Sequence, residues 1–277
     1  MSIGVRQLHA DDLSALWQLV KRDPVTHCFV ASRLEMGTER WHLGGDLLGY
    51  FTDAGLESAM YVGANLVPVE TTPASRAAFA DRLRRLGRRC SSIVGNAEDV
   101  LDLWRFLEPS WGPAREIRAR QLVMVMDHDS SLAPDRDVHV TPMTDLDTLL
   151  PACVDMFTGE VGVSPVTGGM GSSYRARIAE IVSAGRSYSR ISGSTVVFKA
   201  EIGAVSATTC QVQGVWVDPA HRGQGLSAAG MAAVVRLARM DVAPVVSLYV
   251  NDFNTAARKC YVSVGFREHG EFATILF

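Results

Sequence analysis

Along the second half of the chain the spacing of apolar residues alternates between two periods. Strand-like runs occupy 187–191, 195–205 and 207–217, after which Leu226, Gly230, Val234 and Leu237 recur at the three- and four-residue steps of a helix face. A further apolar run, Val245 to Val250, predicts a strand, 255–264 a short helix, and the alternation in Glu271 to Phe277 a final edge strand. Upstream, the pattern predicts a strand over 138–142 and helices over 145–157 and 172–184. The first half reads similarly, with a short strand and an acidic helix start in Val5 to Leu16, a helix over 77–86, a strand over 90–94 and a helix over 97–107. The predicted fold class is α/β (α+β), a mixed and mostly antiparallel sheet flanked by helices.

The two halves share a plan. Val138 to Leu150 opens like Val5 to Leu16, and the helix–strand–helix order of 77–107 echoes 226–264. Between them, Met126 to Asp137 is polar, breaks the periodicity and contains Pro134, so 131–137 is expected to be a linker between a first domain, 1–130, and a second, 138–277.

The second half alone carries a recognisable chemical device. The strand through Val215, Trp216 and Val217 turns at Arg222-Gly223-Gln224-Gly225 directly into the helix that starts Leu226-Ser227-Ala228. Without a Cβ, Gly223 and Gly225 let the backbone bend sharply and approach a ligand. The amides of Gln224, Gly225, Leu226, Ser227 and Ala228 are then expected to lack intrahelical acceptors and to sit at the positive end of the helix dipole, where a pyrophosphate fits. The spacing matches neither a Walker loop nor a dinucleotide fingerprint. In the first half, Val67 to Ser75 stands in the corresponding place, with Glu70 where an anion would be repelled.

The Arg222-Gly-Gln-Gly225-Leu-Ser227 turn resembles the phosphate-loop signature of the GNAT superfamily of acyl-CoA-dependent N-acetyltransferases, with Ser227 in place of the usual Gly or Ala. The order that follows, strand 245–250, Asn251 to Asn254, Ala256 to Tyr261 and Gly265-Phe266, is similar to that family's second signature. The resemblance implies a tandem GNAT-like architecture of a bacterial, actinobacterial type, whose first domain is degenerate and of unknown function. It implies splayed parallel strands holding the pantetheine arm of acetyl-CoA, or another acyl-CoA, as co-substrate against Val215, Trp216 and Val217. Arg222 to Ala228 would hold the pyrophosphate, and Asn254, Ala257 and Tyr261 would also contact the cofactor.

Acyl transfer needs a deprotonated amine, a donor for the thioester oxygen and a proton for the leaving thiolate. The family resemblance makes Tyr261 the candidate acid; its other reading is a ring packed beside Phe266. Backbone amides near Val215 to Val217 are the candidate oxyanion donors. Many relatives place a basic Glu on the strand before the loop, but Thr208 to Val217 contains no carboxylate. The candidate bases are therefore Glu160 and Glu201, each read alternatively as a surface carboxylate in water, or a water chain. Asn254 reads equally as an N-cap. His221 reads as a solvent-facing loop residue, and Trp216 as packing between sheet and helix.

Composition narrows the partners. A formal charge of −3, with Lys21, Lys199 and Lys259 the only lysines and no basic run, does not suit nucleic acid. Five scattered cysteines without Cys-x-x-Cys spacing suggest neither disulfides nor a metal site and suit a reducing compartment. No run reaches the length of a membrane span, so a cytoplasmic protein, monomeric or homodimeric, is expected. The function read from the sequence is transfer of an acetyl group from acetyl-CoA to a small-molecule or peptide amine. The alternatives are a catalytically silent acyl-CoA-binding regulatory module, or a synthase with a specialised acceptor, as in mycothiol synthase.

Overall fold

A computed structural model describes residues 4–36 and 44–277. The chain divides into two compact units. The first holds the chain up to Val123 together with Tyr249–Asn254 and Glu268–Phe277; the second holds Met124–Leu248 and Thr255–Arg267. The units are thus not contiguous in sequence: a cut at 131–137 does not separate them, because a late turn and the last strand cluster with the first.

In the first unit β1 (Gly4–Gln7), β2 (Gly45–Thr52), β3 (Gly55–Gly63) and β4 (Asn65–Val69) are joined antiparallel, and β5 (Ser92–Asn96) runs parallel to β4. The chain's last strand, β12 (Arg267–Leu276), pairs antiparallel with β5, from Phe272↔Asn96 to Leu276↔Ser92. β6 (Glu116–Met126) lies beside it.

Alternation along the strands supplies two apolar faces. On β3, Ala59 and Tyr61 join a core built from α1 (Leu13–Val20) and α2 (Cys28–Met36), while Met60 faces the opposite core under α3 (Pro73–Leu86) and α4 (Ala97–Trp111). α3 starts earlier than the periodicity predicts. Thr72 accepts a bond from the Ser75 amide, the Ser75 hydroxyl caps the Thr72 amide, and Pro73 occupies the first turn, where it loses no helical bond.

In the second unit the strand order is β11-β10-β9-β8-β7, comprising β7 (His139–Val140), β8 (Ser187–Ser192), β9 (Thr195–Val205), β10 (Thr209–Val217) and β11 (Val245–Asn251). β7 to β10 pair antiparallel, and β10 and β11 pair parallel. α5 (Leu146–Val161) and α6 (Gly171–Ser183) build a core from Leu149, Cys153, Ile178 and Val182. α7 (Leu226–Asp241) buries Met231, Val234 and Val235, a broader face than the predicted stripe, and α8 (Thr255–Val264) follows β11.

The stretch expected to be a linker is pinned to this unit. Ser130 Oγ donates to Val264 O at 2.6 Å, Asp135 N donates to Ala229 O at 3.0 Å, and Arg190 Nη1 donates to Asp135 Oδ2 at 2.8 Å.

Candidate functional site

The end of β10 and the start of α7 form one continuous device. Asp218 ends the strand and caps a short 3₁₀ turn, Pro219–His221, accepting from Ala220 N at 2.8 Å. The same oxygen lies 3.0 Å from His221 Nδ1, and that bond above all holds the Asp218 carboxyl below its ordinary value. The half-buried His221 is therefore tethered rather than free in solvent. Arg222 Nε donates back to Val217 O at 3.1 Å, closing the turn.

Gly223 and Gly225 have φ of +76° and +78°, a conformation that side chains disfavour, and a Cβ at either would meet nothing within 4 Å. That open space lies over the helix start. Gly225 is the N-cap of α7 and brings no capping side chain, so no side chain covers the positive end of the helix. The expected row of five unbonded amides is one too long. Ala228 N donates to Gly225 O at 3.2 Å, and Ala229 N reaches the same oxygen at 3.4 Å, because the helix opens with a tight i→i+3 turn. Gln224, Gly225, Leu226 and Ser227 precede those bonds.

β10 outruns its parallel partner along one edge. Its parallel pairing with β11 covers Thr209↔Val245 to Gln211↔Ser247, yet β10 continues six residues further, to Val217. Val215, Trp216 and Val217 are half-buried, and Trp216 packs against the core under α5 and α6.

α8 meets the cradle through Cys260, whose Sγ donates to Ser227 Oγ at 3.2 Å. The next residue, Tyr261, is buried, with its ring edge-on to Phe266 at 5.9 Å between centroids. Burial, reinforced by Cys260 and Glu160, pushes the Tyr261 phenol well above its ordinary value. Glu160 itself is exposed near the end of α5. Ala257 is half-buried in the first turn of α8. Asn254 immediately precedes that helix, its amide donating to Asn251 O at 3.0 Å, and it clusters with the first unit.

Glu201 is not the surface carboxylate that one reading expected. It is 3 % exposed and paired to Lys199 Nζ at 2.6 Å, because the face of β9 that carries both is covered by α5. Lys199, Gly214 and Cys153, none of them a candidate from sequence, surround it. The signals were there: a lysine inside the apolar run 196–202, and a glycine inside a strand, which marks a bulge.

No disulfide joins the cysteines. Burial raises Cys90 to about 11 and Cys153 and Cys210 to about 12, which makes them inert thiols at neutral pH. Among the described residues no group of three or more His, Cys, Asp or Glu side chains is placed to hold a metal ion, and no helix is long and apolar enough to cross a membrane.

Residues 187–266 match the acetyltransferase (GNAT) family, and residues 45–149 match a domain of unknown function, DUF4081. A search of curated proteins returns no match. Solved structures share the fold at low identity. A GCN5-related N-acetyltransferase from Sphaerobacter thermophilus aligns with a TM-score of 0.61 at 16 % identity, over 98 % of this chain and 93 % of its own. A tandem GNAT protein from the clavulanic acid biosynthesis pathway aligns with a TM-score of 0.57 at 12 % identity, over 99 % and 98 %. An acetyltransferase of the GNAT family from Colwellia psychrerythraea gives 0.57 at 10 % identity, over 99 % and 100 %.

Proposed function

Residues 187–266 match the GNAT acetyltransferase family, and on that premise we propose that the second unit transfers an acetyl group from acetyl-CoA directly to an amine. The observation that carries this reading is the uncapped start of α7 behind two glycines in the left-handed conformation, next to a strand edge that outruns its parallel partner. Pyrophosphate oxygens would accept from the amides of Gln224 to Ser227, with Arg222 nearby for charge. The pantetheine arm would lie along Val215 to Val217, with Asn254 and Ala257 beside it.

In the reaction the neutral amine attacks the thioester carbon, a C–N bond forms, and negative charge collects on the thioester oxygen, which an amide of β10 receives. As the C–S bond breaks, the thiolate takes the phenolic proton of Tyr261. Burial raises the phenol and so makes it a weaker acid, and the transfer relies on the thiolate being desolvated in the same place. The amine's proton leaves to Glu160, directly or through water; Glu201 is already committed to Lys199.

Calorimetry with acetyl-CoA and measurement of CoA release over a panel of small-molecule and peptide amines test the reading. Replacing Glu160 by Gln removes basicity while keeping shape, so turnover should fall with acetyl-CoA affinity unchanged. Tight acetyl-CoA binding with no CoA release from any amine points instead to an acyl-CoA-sensing module, a reading favoured by the absence of a carboxylate on β10.

A further inference from the structure

β9 carries an ammonium and a carboxylate two residues apart on the face that α5 covers. The Lys199 side chain is 0 % exposed and that of Glu201 4 %. Removing two charges from water costs several kcal/mol per ion, and apolar residues of similar volume usually serve stability as well or better. A purely structural role therefore gives little reason for the pair.

Its surroundings supply one. Lys199 Nζ also donates to the carbonyl of Gly214 at 3.1 Å. Gly214 sits in a β-bulge: Glu201 pairs with Gln213 and Lys199 with Trp216, so Gly214 and Val215 together face Ala200 alone. Gly214 has φ of +59°, and a Cβ there would approach Met156 Cε at 3.1 Å, Lys199 Nζ at 3.3 Å and Glu201 Oε2 at 3.4 Å. Backbone and space both call for glycine. The carboxylate is held from a second side, as Cys153 Sγ donates to Glu201 Oε1 at 3.5 Å.

A trans peptide is planar, with its C=O and N–H directed oppositely. A cation fixed on Gly214 O thus fixes the direction of the Val215 N–H, away from Lys199, and it polarises that amide into a stronger donor. We propose that Lys199 and Glu201 are positioning residues for acyl transfer: the buried ammonium, kept in place by the carboxylate, locks the Gly214–Val215 peptide so that the Val215 amide receives the thioester oxygen as it becomes negative. This inference rests on the acyltransfer reading.

Lys199→Met alone leaves Glu201 buried without a counter-charge and can prevent folding, so the decisive variant is Lys199→Met/Glu201→Leu, which removes both charges at similar volume. Four quantities are read in the full chain: melting temperature, acetyl-CoA affinity by calorimetry, CoA release with the best amine of a panel or with water as acceptor, and the Val215 amide resonance in the ligand-free protein. The double variant is expected to melt at or above the wild type and to bind acetyl-CoA within about threefold, while kcat falls roughly 10- to 100-fold, less than outright loss of an oxyanion donor. The Val215 amide proton should move upfield without any ligand. Wild-type kcat in a folded double variant, or an unmoved Val215 resonance, reduces the pair to packing and overturns the inference while leaving the acyltransfer reading intact. Failure of the wild type itself to bind acetyl-CoA or release CoA overturns both.

Discussion

The strand-to-helix turns of the two units, Val69 to Ser75 and Val217 to Ala228, occupy corresponding places and reach opposite ends. In the second unit the helix start is left open: two glycines, no capping side chain on α7, and space above it. In the first unit the helix start and Glu70 are answered from within. Thr72 and Ser75 cap α3 reciprocally, and Thr72 Oγ1 donates to Glu57 at 2.9 Å. Glu70, the only non-glycine residue with positive φ among those described, sends its carboxylate to His27 at 3.0 Å and Arg22 at 3.2 Å. Its own carbonyl accepts from Ser58 Oγ at 2.8 Å. The difference lies in how the two helix starts are capped, and under the proposed function the open one is where an anion would sit.

The sharpest way to break this contrast is to fill the second turn. Gly225→Val puts a β-branched residue at φ of +78° and fills the space above α7. Calorimetry should then detect no acetyl-CoA binding; an unchanged affinity would make the loop purely structural.

Next in size is Tyr261→Phe, expected to lower kcat about tenfold to a thousandfold with acetyl-CoA affinity nearly unchanged. Equal losses in both quantities would leave Tyr261 as packing beside Phe266.

The first turn should respond in stability alone. Glu70→Ala keeps the left-handed strain and leaves the buried His27 without its partner, whereas Glu70→Gly relieves the strain; chemical denaturation should rank the Gly variant about 1 kcal/mol above the Ala variant. Neither should alter acetyl-CoA affinity. The His27 bond above all lowers the Glu70 carboxyl, so the stabilisation it gives is complete above the ordinary Glu range and is lost as pH falls through the lowered folded-state value. Glu70→Gln should therefore flatten the acid side of the stability profile below about pH 4.

The smallest effect is chemical. Cys260, the one half-buried cysteine, should alkylate before Cys90, Cys153 and Cys210 at pH 8, as mass mapping will show, and acetyl-CoA should slow it by covering Ser227.

What the sequence made legible follows the range of the forces involved. Gly223, Gly225 and the start of α7 obey local backbone rules, and the strands and helices of the second half fall close to their predicted bounds. The environment of Glu201 was hidden, because whether a charged residue on β9 meets water depends on where α5, more than 40 positions earlier, comes to rest. The pinning of 131–137 was hidden for the same reason: Asp135 finds Arg190 only after the fold has closed. Alternation in 271–277 announces a strand but cannot name its neighbours: β12 is not the expected edge strand, because it lies between β5 and β6.

That last pairing has a consequence for how the molecule is made. Ser92 waits for Leu276, so a ribosome must deliver β7 to β11 and α5 to α8 before the first unit can complete its sheet. Until then β5 offers an open edge, able to pair wrongly with another nascent chain. Contacts of such long sequence separation slow folding. The first unit to emerge is thus the last to be finished, and shortening the chain by its final strand would injure the end that was synthesised first.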